Sequence, residues 1–392
     1  MARPQLELAD IVRRHRDDYV ASRQGRIPRH EARALHAIAS CRTAELGAHV
    51  SACSSCEHSA IAYNSCRNRH CPKCLGSARG VWLAAREDEL LPVPYFHVVF
   101  TLPRPLARIA LQNRSVAYEM LMRIAAETLQ TVAADPKHLG ARIGCLIVLH
   151  TWSQELRHHP HAHCVVPGGG LSPDRSRWVA CRKGFFLPVR VLSRLFRGRY
   201  LAAIESAHRN GQLAFHGQLA KLHDPAAFLA FLAPLREVDW VVYAKAPFHG
   251  PQHVLRYLAR YTHRVAISNR RLVGLDAGRV AFKRRSRRNP RKTETSVLDA
   301  VQFIRRFLLH LLPRGFQRIR HYGLLANRCR RRDLARCRRL ITKAVSRTDV
   351  APRHDTRPVC PACQQGLMRC IRVLPRDQLA ALRLRIAYED TS

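Results

Sequence analysis

The chain has 392 residues, of which 47% are hydrophobic, a fraction that is typical of a folded protein and excludes an intrinsically disordered one. Lys and Arg number 67 against 28 Asp and Glu, and the resulting net charge of +39 indicates a polyanionic partner, above all nucleic acid. No apolar run reaches 18 residues, and the first residues lack the apolar core of a signal peptide, so we expect an intracellular protein with no membrane partner.

Cysteines are concentrated near both ends of the chain. Six of the 14 precede residue 75 and five follow residue 328. In an intracellular protein such clusters indicate metal binding, because disulfides are rare there. We predict an N-terminal helical and zinc-binding domain at residues 1–90, a central domain at residues 91–310 and a basic C-terminal region at residues 311–392.

The cysteines of the N-terminal region indicate a structural zinc site. Cys53 and Cys56 form one Cys-x2-Cys knuckle and Cys71 and Cys74 form a second, and two such turns supply the four ligands of a tetrahedral zinc ion. Four protein ligands leave no open position, which favours a structural role. Neighbouring residues leave a different choice of ligands, or a second zinc ion, open: Cys41, His49, His58, Cys66 and His70.

The central region holds a His-x-His pair. We predict strands at Phe96–Leu102, Gly144–Trp152 and His161–Val166. Alternate residues of a strand face the same side, so His161 and His163 project together and can bind one metal ion. The His-x-His pattern alone is weak evidence for a metal site, because such pairs more often face solvent or lie in the core with their hydrogen bonds satisfied.

A pair of tyrosines lies on a predicted helix further along the chain. Apolar residues follow helical spacing between Val254 and Val265, and Tyr257 and Tyr261 lie four residues apart on one face. An aromatic stripe in the core gives the same pattern. A metal ion on the histidines can polarise a scissile phosphate, which a tyrosine then attacks to leave a 5′-phosphotyrosine and a free 3′ hydroxyl. Metal ligands, tyrosines and positive charge together favour DNA strand transfer.

Positive charge is densest at KRRSRRNPRK, residues 283–292. A solvated loop would show the same run, but the charge of the whole chain favours contact with DNA phosphates. The residues predicted to make these contacts are Lys283, Arg284, Arg285, Arg287, Arg288, Arg291 and Lys292.

A further zinc site is a candidate near the end of the chain. Cys360 and Cys363 form a third knuckle, and the other two ligands would come from Cys329, Cys337 or Cys370. The first two of these three lie on an arginine-rich stretch that we predict to be helical.

Five segments together resemble the IS91 family of bacterial insertion-sequence transposases, which belong to the HUH class and carry two nucleophilic tyrosines. The segments follow the family's order and span nearly the whole chain. They are SCRNRHCPKC (65–74), LLPVPYFHVVFTLP (90–103), HPHAHCVVPGGGLS (159–172), VLRYLARYTHRVAISN (254–269) and LLPRGFQRIRHYGLLANR (311–328).

The resemblance implies an α+β fold. An HUH endonuclease domain, an antiparallel sheet of ferredoxin-like ancestry, would be joined to an N-terminal helical and zinc-ribbon domain and to a basic C-terminal zinc-knuckle region. His161 and His163 match the metal-binding pair of the class, and Tyr257 and Tyr261 match its two nucleophiles. The segment PYFHVVFTLP would form a core strand beside the active site, and the first two knuckles fall in the family's zinc-binding region.

The third metal ligand of the class is expected to be a polar side chain near the tyrosine helix. His253 is the first candidate, because it lies four residues before Tyr257 and shares its helix face, and Gln252 is the second. Gln154, on the segment that enters the His-x-His strand, is a more remote candidate.

The activity that the resemblance implies is rolling-circle transposition. One tyrosine nicks single-stranded DNA at one end of the element, host replication extends the 3′ hydroxyl, and the second tyrosine acts at the other end before transfer to target DNA. Mg²⁺ or Mn²⁺ would be the catalytic ion and Zn²⁺ the structural one. Because the sequence holds no GxxxxGKS or GxxxxGKT motif, a host helicase would separate the strands. The protein would be cytoplasmic and lie on the nucleoid when bound to DNA.

Two other functions stay open from the sequence. A relaxase-like rolling-circle replication initiator uses the same chemistry and differs in what the 5′ end is joined to; the N-terminal zinc region favours the transposase. In a non-catalytic zinc-ribbon DNA-binding protein, or in a degenerate copy that binds but no longer cuts, the histidines and tyrosines would be structural only.

Overall fold

The computed structural model describes residues 6–87, 89–245, 265–286, 289, 292–342 and 359–378. In this part of the chain the helices are α1 (Leu8–Ala21), α2 (Arg29–Ala39), α3 (Pro72–Glu87), α4 (Arg104–Gln112), α5 (Arg114–Ala134), α6 (Val189–Arg209), α7 (Pro225–Glu237), α8 (Ala300–Leu308) and α9 (Arg330–Thr342). The strands are β1 (Ala48–Cys53), β2 (Ser59–Tyr63), β3 (Tyr95–Thr101), β4 (Gly144–Trp152), β5 (His158–Pro167), β6 (Gly169–Leu171), β7 (Trp178–Ala180), β8 (Val242–Lys245), β9 (Leu272–Asp276), β10 (Arg279–Arg285), β11 (Thr293–Asp299), β12 (Ile319–Gly323) and β13 (Met368–Leu374).

The α+β class expected from the sequence is confirmed. All pairs between these strands are antiparallel. The three strand-like runs of the central region correspond to β3, β4 and β5. None of the described helices combines the length and apolar character that a bilayer crossing requires.

The chain divides into two compact units, each assembled from separate segments. The first unit contains Met1–Ala78, Ile267–Leu308 and Thr348–Ser392, and the second contains Arg79–Ala266 and Leu309–Arg347. The two units do not coincide with the three consecutive regions expected from composition, because each unit combines segments from more than one of those regions. The reason is long-range pairing, which local composition does not show: β13 pairs with β1, and α8 packs against α1.

The second unit is built on a five-stranded sheet with the order β12-β4-β5-β3-β8. Alternate residues of the central strands are apolar and point to one face, where they are buried against helices; Phe96, Phe100 and Cys164 are examples. On this face α5 lies against β4 and β5, and α4 lies against β5. The main core of the second unit is therefore a sheet covered by helices on one face.

The opposite face of this sheet has its own, smaller core at one end. Leu146 of β4 and Val165 of β5 pack there with Leu334 and Cys337 of α9. The other end of the same face carries histidines in place of apolar side chains, and it is this end that holds the candidate active site.

In the first unit, α1 packs against both α2 and α8. The buried residues of α8 include Phe303, Ile304 and Phe307, a spacing that places them on one helix face. Two three-stranded sheets, with the orders β13-β1-β2 and β11-β10-β9, belong to this unit as well. In the first of these sheets a strand from near the start of the chain lies beside one from near its end.

Candidate functional site

The candidate active site lies on the face of the five-stranded sheet that points away from α4 and α5. His161 and His163 are alternate residues of β5 and share this face. His150 of β4 lies directly opposite His161 in the strand register. One ligand nitrogen from each of these three residues, the histidine triad, lies within 4.8 Å of the other two.

Packing fixes the rings of the histidine triad. His150 is 2% and His163 7% exposed, whereas His161 is half-buried. The His150 ring stacks on Trp152 of the same strand, with ring centroids 4.3 Å apart. Rings held in this way keep their nitrogens close together, as a metal site requires.

Hydrogen bonds at the Nδ1 atoms determine which nitrogen of each ring remains for a metal ion. His161 Nδ1 lies 2.7 Å from the carbonyl oxygen of His159 and donates to it, because a carbonyl only accepts. His163 Nδ1 lies 2.8 Å from Nε2 of the buried His97 on β3. When His163 is the donor in this pair, both rings of β5 keep the Nε2 lone pair that binds a metal.

Burial keeps these imidazoles neutral. It lowers the pKa of His161 to about 4, and it lowers the pKa of His163 well below the ordinary value of a histidine, with the neighbouring rings of His150 and His161 adding to the effect. Neutral imidazole is the form that binds a metal ion. His161 and His163 are therefore in their ligand form at pH 7.

Four cysteines of the first unit form a second candidate metal centre, the N-terminal cluster: Cys41, Cys66, Cys71 and Cys74. Their sulfurs lie within 4.8 Å of one another, and Cys74 Sγ is 3.6 Å from the sulfurs of both Cys41 and Cys66. Two sulfurs bound to one zinc ion at about 2.3 Å lie about 3.8 Å apart in a tetrahedron. Side-chain contacts with Cys66 and Cys71 lower the pKa of Cys41. This cluster fits a structural zinc ion.

The other two cysteines of the expected N-terminal zinc site, Cys53 and Cys56, lie in a different place. They form the shared cluster with Cys360 and Cys363, again with all four sulfurs within 4.8 Å of one another. The expected four-ligand set of two adjacent knuckles is therefore not brought together. The knuckle at residues 71–74 begins α3 and meets Cys41 just after α2, whereas the knuckle at residues 53–56 lies at the tip of the β1–β2 hairpin.

The other residues that the sequence offered as zinc ligands are members of neither cluster. Cys337 is buried in the apolar core of the second unit, and the thiol of Cys329 contacts the Gly323 carbonyl oxygen at 3.5 Å. Cys370 is exposed. Three histidines of the N-terminal region are also members of neither cluster: His49, His58 and His70.

Comparison with known proteins identifies the family. Residues 11–102 match a family model described as "Transposase zinc-binding domain", and residues 144–333 match one described as "Putative transposase". Over 385 residues the chain is 51% identical to the "Putative transposase y4qJ" of Sinorhizobium fredii (strain NBRC 101917 / NGR234), with 95% of this chain and 96% of that protein covered. The chain belongs to the IS91 family of transposases.

A second relative agrees with this assignment. The transposase is 28% identical over 305 residues to the "Transposase for insertion sequence element IS801" of Pseudomonas savastanoi pv. phaseolicola, with 74% of this chain and 68% of that protein covered. The resemblance seen in five sequence segments is thus confirmed. The N-terminal cluster lies entirely within the matched zinc-binding domain.

Two solved structures of the conjugative relaxase TrwC overlap part of the transposase. One, in complex with OriT DNA, shows 14% identity and a TM-score of 0.23 and covers 43% of this chain and 71% of its own. The other, complexed with a 27-mer DNA, shows 16% identity and a TM-score of 0.24 and covers 62% and 73%.

Tyr257 and Tyr261 lie outside the described residues, so their roles as nucleophiles stay predictions. The same holds for His253 and Gln252, the third ligands expected from the sequence. Gln154 is described; it is exposed at the turn between β4 and β5 and is not a member of the triad.

Two histidines of the site were missed by sequence reasoning. His150 belongs to the triad, and His97 bonds to His163, but neither belongs to a spaced motif. The available signal for His150 was the predicted pair of strands, which a short hairpin would place side by side. That signal does not fix the register, because the pairing shifts between His150 and Trp152.

The predicted phosphate-contact run begins on a strand. Lys283, Arg284 and Arg285 end β10, which pairs with β11. Lys283 and Arg285 are exposed, whereas Arg284 forms an ion pair with Glu294, Nη2 to Oε2 2.7 Å. Lys292 is exposed just before β11. The remaining members lie outside the described residues: Arg287, Arg288 and Arg291.

Proposed function

We propose that this transposase nicks single-stranded DNA at the ends of its element through a 5′-phosphotyrosine intermediate, with a divalent metal ion bound by the histidine triad. One observation carries the proposal: three imidazoles, from His150, His161 and His163, converge on one face of the central sheet. The family supplies the reaction class, DNA transposition, and the triad supplies a site suited to phosphate chemistry.

The donor set of the triad supports this use. When bound, a divalent ion would polarise the scissile phosphate and stabilise the negative charge that develops as the phosphorus–oxygen bond breaks. Three neutral nitrogen ligands leave the ion its full positive charge. Mg²⁺ prefers oxygen ligands and dehydrates reluctantly, so we favour Mn²⁺ of the two ions expected from the sequence.

Tyr257 and Tyr261 are the proposed nucleophiles. The phenolic oxygen of one tyrosine attacks phosphorus, the 3′ oxygen leaves and takes up a proton as a free hydroxyl, and the 5′ end stays bonded to the tyrosine. With two tyrosines, one chain can hold two 5′ ends while the released strand is transferred to target DNA.

Single-stranded DNA at the element ends and target DNA are the proposed substrates. The net charge of +39 supports strong attraction to the phosphate backbone. Because the sequence carries no GxxxxGKS or GxxxxGKT motif, we assign strand separation to a host helicase and extension of the 3′ end to host replication.

A nicking assay tests the proposal. Purified transposase is mixed with labelled single-stranded DNA from an element end, with Mn²⁺ or with EDTA, and a covalent protein–DNA adduct is sought on a denaturing gel. We expect an adduct with Mn²⁺ that disappears in EDTA, in His163→Ala and in the double variant Tyr257→Phe/Tyr261→Phe. His216→Ala is the matched control, because His216 is an exposed histidine of the same unit outside the triad.

Each contrary outcome overturns a separate part of the proposal. An adduct that persists in EDTA removes the metal ion from the reaction. An adduct that persists in the double tyrosine variant places the nucleophile elsewhere. DNA binding without an adduct under any condition makes the chain a DNA-binding protein that no longer cuts.

A further inference from the structure

We propose that the shared cluster, formed by Cys53, Cys56, Cys360 and Cys363, binds a second structural zinc ion. Its ligands come from two knuckles near opposite ends of the sequence. Neither matched family model reaches the C-terminal pair, since the zinc-binding model ends at residue 102 and the transposase model at residue 333. The site is separate from the N-terminal cluster and from the triad, and it does not depend on the nicking reaction.

The sulfur positions fit one tetrahedral ion. Cys53 Sγ lies 3.6 Å from Cys363 Sγ, and Cys56 Sγ lies 3.8 Å from Cys360 Sγ. Four thiolates bound to zinc at about 2.3 Å are about 3.8 Å apart, whereas a disulfide would bring two sulfurs to about 2.05 Å. The distances are those of four ligands around one ion and not those of two crosslinks.

Backbone amides of both knuckles point at ligand sulfurs. The Ser55 amide donates to Cys53 Sγ at 3.3 Å, and the Gly366 amide donates to Cys363 Sγ at 3.4 Å. Hydrogen bonds of this kind orient a metal-bound thiolate and stabilise its charge. Each knuckle is thus arranged as half of a metal site.

Gly366 allows the two knuckles to approach. A β-carbon at this position would overlap the Cys53 sulfur and would come within 2.8 Å of Ser55 Oγ. The Gly366 carbonyl oxygen also accepts a hydrogen bond from the Cys360 amide at 2.7 Å, which closes the turn around the C-terminal knuckle. The sequence Cys-x2-Cys-x2-Gly at residues 360–366 therefore has a direct structural reason.

Strand pairing brings the knuckles to the same end of one sheet. β1 and β13 are antiparallel, and Cys53 at the end of β1 lies opposite Met368 at the start of β13. The pairing continues into the knuckle, where the Ser54 amide donates to the Leu367 carbonyl oxygen at 3.1 Å. A zinc ion at this end would join residues that are 304 positions apart in sequence.

The ligand set favours zinc and a structural role. Zn²⁺ binds four cysteine thiolates in a closed tetrahedral site, with no position left for substrate. Iron also binds four thiolates, so the metal itself must be identified.

Metal content of the full chain tests the proposal. All variants are made in a His163→Ala background, so that zinc at the triad does not enter the count, and zinc and iron are measured per chain by mass spectrometry. We expect two zinc ions in this background and one after Cys363→Ser. Cys370→Ser is the matched control and should keep two, because Cys370 is an exposed cysteine of β13 outside the cluster.

Two further measurements keep the test decisive if Cys363→Ser does not fold. Cys363→His preserves four ligands and should retain the second zinc ion. Replacement of zinc by Co²⁺ in the background protein should give the absorption of two tetrahedral thiolate sites. A zinc content that does not fall after Cys363→Ser, or iron in place of the second ion, would overturn the proposal.

Discussion

The histidine triad and the shared cysteine cluster assemble their ligands in opposite ways. The triad takes three candidate ligands from two neighbouring strands, within the span from His150 to His163. The shared cluster takes four ligands from two knuckles separated by most of the chain. Three protein ligands leave positions for a substrate, and four close the site. In our two proposals, local hairpin geometry therefore builds the metal centre that serves chemistry, whereas long-range strand pairing builds the metal centre that holds the fold together.

The largest effect is expected from Cys66→Ser, which removes a ligand of the N-terminal cluster. Loss of a structural metal belongs to the mechanisms that cost more than about 4 kcal/mol, so the first unit should unfold at much lower urea concentration. Hydrogen exchange resolved by segment measures the stability of the first unit, and Cys370→Ser is the control. The triad should keep its Mn²⁺ affinity in Cys66→Ser. A loss of Mn²⁺ affinity in this variant would mean that the triad depends on the N-terminal cluster.

The identity of the third triad ligand gives the next largest effect. His150→Ala should reduce the nicking rate more than about 100-fold, because even partners of metal ligands contribute about 10–100-fold and His150 is itself a ligand in our proposal. His253→Ala, at the position expected from the sequence, should have a smaller effect. Rates measured at fixed Mn²⁺ decide between them, and the reverse ranking would restore His253 as the third ligand.

His97 tests whether the triad needs support from the neighbouring strand. His97→Ala removes the partner of His163 Nδ1 and should weaken Mn²⁺ binding by about 10–100-fold. Because His97 acts through His163, a high Mn²⁺ concentration should recover most of the nicking rate. His97→Gln offers an acceptor oxygen to His163 Nδ1, so its Mn²⁺ affinity should lie between those of the wild type and His97→Ala. A rate that stays low at saturating Mn²⁺ would assign His97 a role beyond positioning.

The smallest effect concerns the basic strand β10. Lys283→Ala should weaken DNA binding similarly for all sequences and reduce the slope of log K against log salt by about 0.7–0.9, the change expected for one lost phosphate contact. Arg284→Ala should change the slope less, because Arg284 already pairs with Glu294. Equal slopes in wild type and Lys283→Ala would show that this residue contacts no phosphate.

Two pairs of candidate metal ligands, and the strands of the central sheet, could be predicted from the sequence. The pair His161 and His163 and the knuckle Cys360 and Cys363 could be found because both ligands of each pair lie on one short segment. The strand runs were also predicted, since long apolar segments such as β4 form a buried sheet.

The partners that complete each centre could not be predicted from the sequence. His150 depends on the register of a hairpin with an irregularity, and Cys41 depends on how α2 meets the start of α3. Cys53 meets Cys363 only because β1 pairs with β13. These contacts are determined by tertiary packing, so they cannot be predicted from the spacing of residues along the sequence.

The order of protein synthesis gives the β1–β13 pairing a further consequence. At about 5–20 residues per second, the ribosome needs about 15–60 s to add the 304 residues that separate Cys56 from Cys360. Throughout that time the first knuckle and the open edge of β1 have no partner from the C-terminal segment. A nascent or prematurely terminated transposase therefore cannot complete its first unit, and only a chain translated at least through β13 can assemble the whole molecule.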